Sequence, residues 1–323
     1  MQTSDAEFFE AKKLLGAARK IIILSHRGPD GDTVGSNLAM RLALKHQWNK
    51  EVVSACIDPP PANCDFLPEV HEYVRDFDRG WADVIVTVDC GAHYMTKFHE
   101  TKPDLFSGKP PVINIDHHAS NDFFGQVNIV DSGAASATQI VYYFLKYCGL
   151  TIDRKIATCL LNGLYYDTGS FMHSNTTPAV LEVASDLMWK GADFKTIVRR
   201  QFHTMPTQQL KAYGKIFERI RVNQKKITVA AMNDADFLQA HATPDDTTGA
   251  IDYLNSVPDG DFCCLLYEER GGTIKGSFRS RVDHIDLSKL AGVFGGGGHK
   301  KAAGFSFPGR LLETSPGIRI AGA

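Results

Sequence analysis

The chain has 323 residues, of which 43% are hydrophobic and 22% charged, enough for two domains with ordinary cores and outside the composition of disordered chains. Its 35 basic and 37 acidic residues leave a formal charge of −2, which excludes a protein that holds long nucleic acid by positive charge alone. The first residues lack the basic region and apolar core of a signal peptide, and no apolar run reaches the length of a bilayer span. The seven Cys are odd in number and form no C-x-x-C pair, so they read as reduced core thiols of a cytoplasmic protein.

In chain order, residues 5–18 have the pattern of an amphipathic helix capped by Ser4 or Asp5. The apolar run 20–25 predicts a buried strand that ends at His26, followed by Asp30, Gly31 and Asp32. Val34, Leu38 and Leu42 then recur at helical spacing, with Asp32 or Thr33 as the expected N-cap. A short strand is expected over 51–57, and Pro59 to Pro61 mark a turn. The run 84–88 delivers Asp89, Cys90 and Gly91, and the run 112–115 delivers Asp116, His117 and His118. Helices are expected over 136–147 and 154–165, with Gly149 as the stop between them, which places Asp167 at a helix end. Further helices are expected over 177–189 and 193–202. The pattern is that of an α/β, doubly wound and mainly parallel sheet, whose carboxyl edge is where ligands bind.

Composition changes after residue 204, where a linker helix runs to about residue 220. A strand over 227–232 follows a turn at Asn223-Gln224, and a hairpin of 262–267 with 273–278 turns at Gly271-Gly272. A short helix over 287–293 precedes four consecutive Gly, 295–298, and His299. The second half therefore reads as a smaller α+β unit. The expected division is 1–190 for the catalytic domain, 191–220 for a helical linker, and 221–323 for a substrate-binding domain.

His26, Asp30, Asp32, Asp89, His117 and Asp167 lie at the mouths of successive apolar elements. Six such groups exceed the four of a tetrahedral zinc site. Carboxylate and imidazole without thiolate suit hard octahedral ions, Mn2+ ahead of Mg2+ or Co2+ because two ligands are His. Two divalent ions sharing one carboxylate would use all six, activate water and clamp a phosphoryl oxygen. In the second half, four Gly permit close backbone approach, and His299, Lys300 and Lys301 add donors for a phosphate or base.

The stretch from His26 to Ser36, Val88-Asp89-Cys90-Gly91, Asp116-His117-His118 and Tyr166-Asp167-Thr168-Gly169 resemble the four motifs of the DHH phosphoesterases. Residues 295–304 resemble the signature of the DHH-associated C-terminal domain. The resemblance covers nearly the whole chain. It implies that His26, Asp30 and Asp89 hold one ion, that Asp32, Asp89, His117 and Asp167 hold the other, and that Asp89 bridges. It implies further that Asp116 orients a ligand His and that His118 contacts the scissile phosphate or the attacking water. Arg279, Ser280, Gly296, Gly297, Gly298 and His299 would bind substrate in a cleft between the halves, with Arg281 and Lys300 as solvated neighbours.

Within that family, pyrophosphatases, RecJ-like exonucleases and membrane-bound phosphodiesterases carry parts absent here. The remaining expectation is a nanoRNase-like enzyme that hydrolyses short RNA or DNA oligonucleotides and linear dinucleotides such as pApA to mononucleotides. Such enzymes often act on 3′-phosphoadenosine-5′-phosphate as well. A soluble c-di-AMP phosphodiesterase is the alternative, and a nucleotide-binding regulator without turnover is the alternative of another class. Neither long duplex nucleic acid nor a membrane is an expected partner, and a homodimer is compatible with such folds.

Overall fold

The computed structural model describes residues 5–202, 205–269, 271–314 and 317–321, and its contacts separate into two units, residues 1–204 and 205–323. In the first unit α1 (Asp5–Ala17) buries Phe8, Ala11 and Leu15 along one stripe, the spacing that helical periodicity dictates. It leads into β1 (Lys20–Leu24), α2 (Gly31–Gln47), β2 (Glu51–Ala55), β3 (Val84–Val88), β4 (Val112–Asp116) and β5 (Val127–Val130). These strands pair in the order β2-β1-β3-β4-β5, every pair parallel.

The central strands are mostly apolar and buried because both faces are covered. Ile21 and Ile23 enter one core with α1, α2, α3 (Ala137–Cys148) and α4 (Arg154–Asp167). Ile22 and Leu24 enter a second core, closed by Phe98, Leu105 and the irregular chain around Val74 and Trp81. Helices α5 (Pro178–Trp189) and α6 (Phe194–Phe202) complete the first unit.

Two details depart from the sequence expectation. The N-cap of α2 is Asp30, not Asp32 or Thr33: its side chain accepts hydrogen bonds from the backbone N–H of both. The sheet also gains β5, whose four residues are only partly buried and give a weak sequence signal.

The second unit begins with α7 (Thr207–Glu218), β6 (Arg221–Val222), β7 (Ile227–Met232), α8 (Asp234–Ala240) and α9 (Ala250–Leu254). It continues with β8 (Phe262–Glu269), β9 (Thr273–Ser280), α10 (Leu287–Gly292), β10 (Gly297–His299), β11 (Ala302–Pro308), β12 (Arg310–Thr314) and β13 (Gly317–Ala321). Six strands form a mixed sheet in the order β10-β11-β9-β8-β7-β6, and β12 pairs with β13. The β8–β9 hairpin turns at Gly271 and Gly272, both at positive φ, where only glycine is unstrained. The glycine run is only partly a loop, because Gly297, Gly298 and His299 form an edge strand on β11. All seven Cys are unpaired and buried. No described helix is long and apolar enough to cross a membrane.

Candidate metal centre

The parallel sheet brings its polar residues to one edge. β1 runs into His26, β3 into Asp89, and β4 ends in Asp116 followed by His117 and His118. The start of α2 supplies Asp30 and Asp32, and the last residue of α4 is Asp167. Three groups of these side chains converge, each with ligand atoms within 4.8 Å: His26, Asp30 and Asp89; Asp32, His117 and Asp167; Asp89, His117 and His118. Asp89 and His117 each belong to two of the three groups. Asp89 Oδ2 lies 3.4 Å from His26 Nε2 and its Oδ1 3.4 Å from His117 Nε2. His117 Nε2 lies 3.2 Å from Asp167 Oδ2.

The six sequence-predicted ligands are thus brought together, and they fit divalent cations. Asp89 is 3% exposed, yet its Oδ1 has no hydrogen-bond partner, a costly arrangement unless a cation takes the oxygen. Asp89 also holds a left-handed backbone, φ 58°, which is strained for a non-glycine residue. The donors are carboxylate and imidazole only, the set for hard or borderline ions. These residues can hold two such ions that share Asp89.

Charge in the cluster fits the same reading. Burial disfavours protonation of His26, but the Asp89 carboxylate and then Asp30 raise it to about 9. Burial likewise opposes protonation of His117, which Asp89, Asp167 and Asp32 raise to about 10. Burial, reinforced by Asp89, pushes Asp32 up to about 7 and raises Asp30 as well. Burial and then Asp32 raise Asp167. Asp89 goes the other way: burial opposes its charge, but His117 and His26 hold it well below the usual carboxylate range. Protons balance the carboxylates here, and a divalent cation is the natural replacement for them.

Neighbours fix the ligands. Asp32 accepts hydrogen bonds from Ala137 N, Thr138 N and Thr138 Oγ1 at 2.6, 3.0 and 2.7 Å, so it sits on the positive end of α3. The Asp167 carbonyl accepts from His173 Nδ1 at 3.3 Å and Asn175 Nδ2 at 3.2 Å. Asp116 is fully buried; its Oδ1 lies 2.8 Å from His118 Nδ1, and its Oδ2 accepts from Asn121 Nδ2 at 2.6 Å. The imidazole it orients is therefore His118, where the sequence expectation gave it a ligand His. The hydrogen bond to Asp116 raises the His118 pKa. Asn121, Thr138 and Asn175 escaped the sequence reading. Their contacts cross long sequence separations or sit in polar loops that carry no periodic signal.

In the second unit, Arg279 alternates with buried Phe278 along β9. Its Nε lies 3.6 Å from Asp252 Oδ1. Strand register aligns Arg279 with Ala302, and Ala302 with His299, in one cross-strand row, so these residues share a face of the sheet. Ser280 does not belong with them. It is buried, donates to Asp261 O at 2.9 Å and accepts from Val282 N at 3.2 Å, so its hydroxyl is used inside the fold. The glycines divide too. A Cβ on Gly296 would stand 2.2 Å from Gly304 O, and one on Gly298 2.5 Å from Ala302 O, whereas Gly297 opens on free space. Close packing on β11 requires glycine at the first two positions, whereas position 297 has room for a side chain.

Residues 20–164 match the DHH family, N-terminal domain, and residues 224–314 match the DHHA1 domain. The bifunctional oligoribonuclease and PAP phosphatase NrnA of Thermus thermophilus is 31% identical over 320 residues, covering 96% of this chain and 93% of that protein. The Bacillus subtilis protein of the same name is 24% identical over 289 residues, covering 88% of each. The crystal structure of an exopolyphosphatase-related protein from Bacteroides fragilis superposes with a TM-score of 0.87 at 25% identity, covering 95% of this chain and 92% of its own. A ligand cluster shared through Asp89, a match in each half and a relative alike from end to end lead to one conclusion: this chain belongs to the DHH family of phosphoesterases, with a DHHA1 domain as its second part.

Proposed function

We propose that this chain hydrolyses short oligonucleotides and linear dinucleotides of the pApA type to mononucleotides, and dephosphorylates 3′-phosphoadenosine-5′-phosphate. The observation that carries this reading is the buried Asp89 carboxylate, whose Oδ1 lacks a hydrogen-bond partner and which belongs to two donor groups, in a chain alike from end to end to a protein named as oligoribonuclease and PAP phosphatase. His26, Asp30 and Asp89 would hold one divalent ion, and Asp32, Asp89, His117 and Asp167 a second. Mn2+ suits them better than Mg2+ because two ligands are imidazoles. When bound, the ions supply Lewis acidity that makes water nucleophilic near neutral pH and neutralises phosphoryl oxygens.

The chain's own residues do the rest. Asp116 holds the Nδ1 side of His118, and this imidazole would exchange a proton with the reacting group. Arg279, with His299 in the same cross-strand row, would recognise a substrate phosphate, for which a guanidinium offers paired donors. Seven buried unpaired thiols support a reducing, cytoplasmic setting.

The test is kcat/KM in Mn2+ for pApA, a short RNA, 3′-phosphoadenosine-5′-phosphate and c-di-AMP. The first three should lead, and rates should fall when Mg2+ replaces Mn2+. Opening of c-di-AMP as fast as pApA would make the protein a cyclic dinucleotide phosphodiesterase. Tight binding with no turnover of any of the four would make it a regulator.

A further inference from the structure

Tyr166 precedes the ligand Asp167 in the last turn of α4. Its ring lies against Gly31, the residue between Asp30 and Asp32: a Cβ on Gly31 would stand 2.8 Å from both Cβ and Cγ of Tyr166. The ring therefore occupies the space a side chain at position 31 would fill, beside the segment that carries two ligands. Tyr165, its neighbour, points the other way. It is 6% exposed and stacks edge-on with Phe171 and Phe194. Tyr166 is 38% exposed.

The Tyr166 hydroxyl has no hydrogen-bond partner among the described residues. More enclosed tyrosines of this chain use theirs inside the fold. Tyr73 Oη pairs with Ser25 Oγ at 3.1 Å, Tyr142 donates to Asp186 at 2.8 Å, and Tyr213 donates to the Thr248 carbonyl. An exposed phenol next to Asp30, Asp32 and Asp167, hydrogen-bonded to none of these carboxylates, has its donor available to a ligand. Around it stand the candidate ligands Asp30, Asp32 and Asp167. Among them, an uncharged O–H can meet an anionic ligand without competing for metal.

We propose that Tyr166 contacts the substrate directly, its hydroxyl donating a hydrogen bond to a non-bridging phosphoryl oxygen. This rests on the metal-centred phosphoesterase site proposed above, but not on which nucleotide carries the phosphate. Tyr166→Phe keeps the ring and its packing on Gly31, so a purely structural role would leave the variant unchanged. Three readouts are needed beside the wild type: inorganic phosphate binding to Mn2+-loaded protein by calorimetry, kcat and KM on pApA, and Mn2+ stoichiometry with Tm.

The expected result is unchanged stoichiometry and Tm, with phosphate affinity and kcat/KM each lower by about 10–100-fold, the range for one hydrogen bond to a charged group. Phosphate affinity and kcat/KM within about twofold of wild type would overturn the proposal, since no transition-state or ground-state contact would have been lost. So would a parallel loss of Mn2+, or a wild type that binds no phosphate. If the wild type binds phosphate but does not cleave pApA, the nucleotide reading fails, and the two phosphate affinities alone decide the role of Tyr166.

Discussion

Asn121 is 8% exposed, and its amide donates to Asp116 Oδ2 at 2.6 Å and to the Cys90 carbonyl at 3.2 Å. Its Oδ1 accepts from Phe123 N at 2.7 Å. The loop after β4 is thereby tied to Asp116, and Asp116 to His118. Asn121→Ala should leave a buried carboxylate oxygen unpaired and let the imidazole turn. We expect kcat to fall about 10–100-fold, as for other residues that orient an active-site group from behind, with Mn2+ stoichiometry intact. Unchanged kcat would show that Asp116 holds His118 without help. The candidate ligands drew attention in the sequence because they lie at or just beyond the ends of apolar runs. Asn121 was not, since an Asn in a loop has many local uses. Thr138 was not, since its bond to Asp32 spans 106 positions and exists only once α3 meets α2. The N-cap was misplaced by two or three residues for a local reason. Asp32 and Thr33 are as good capping residues as Asp30, and only the observed backbone tells them apart.

Helices α2 and α4 cross at glycines. A Cβ on Gly35 would stand 2.5 Å from Cys159 O and 3.3 Å from Gly163 N, both backbone atoms that cannot swing away. Gly35→Ala should therefore force the helices apart and destabilise the protein by about 1–3 kcal/mol, read as a lower urea midpoint at unchanged slope. Gly16→Ala is the control: a Cβ there meets nothing within 4 Å, and the change should be neutral or stabilising by up to about 1 kcal/mol. Equal responses from the two would mean the crossing is not tightly packed. Helix α2 also carries Arg41, 5% exposed, which bonds Glu69 at 2.9 Å, Val52 O at 2.8 Å and Glu72. Burial alone would raise Glu69, but hydrogen bonds from Arg41, His46 and Lys45 outweigh it and hold the carboxyl at about 2 against an ordinary 4.5. A carboxyl depressed on folding stabilises above its unfolded value, and that contribution is lost as pH falls through the folded one. Urea midpoints of the wild type should drop between about pH 4.5 and 2 more steeply than those of Glu69→Gln, which should be the less stable protein at pH 7. Parallel curves would remove Glu69 from the acid response. Among the strands, β1, β3 and β4 were visible as apolar runs. β5 and β10 were not, because Val-Asn-Ile-Val and Gly-Gly-His become strands only when β4 and β11 offer them an edge.

At the scale of the whole chain, the change of composition near residue 204 marks the division between units. The segment read as a linker is shared out by packing: Ile197 of α6 lies in the first core, and Tyr213 and Ile216 of α7 lie in a core of the second unit. Sequence could show the break but not this allocation, because both helices are amphipathic and only their partners differ. Among the described residues, the candidate metal ligands all belong to the first unit, which makes the response to metal a regional one. A cation that binds only the folded site stabilises by mass action, about 2.7 kcal/mol at a hundredfold excess over Kd. Without a cation, protons sit on His26, raised to about 9, and His117, raised to about 10. A cation would have to displace them, so its binding should release protons and weaken as pH falls. Hydrogen exchange with and without Mn2+ should therefore show slower exchange across residues 20–167 and no change across residues 224–314, with a larger effect at about pH 8 than at about pH 6. A change of equal size in both regions would mean that metal acts on the chain as one body. A larger effect at the lower pH would mean that the two imidazoles do not take up the cation in place of their protons.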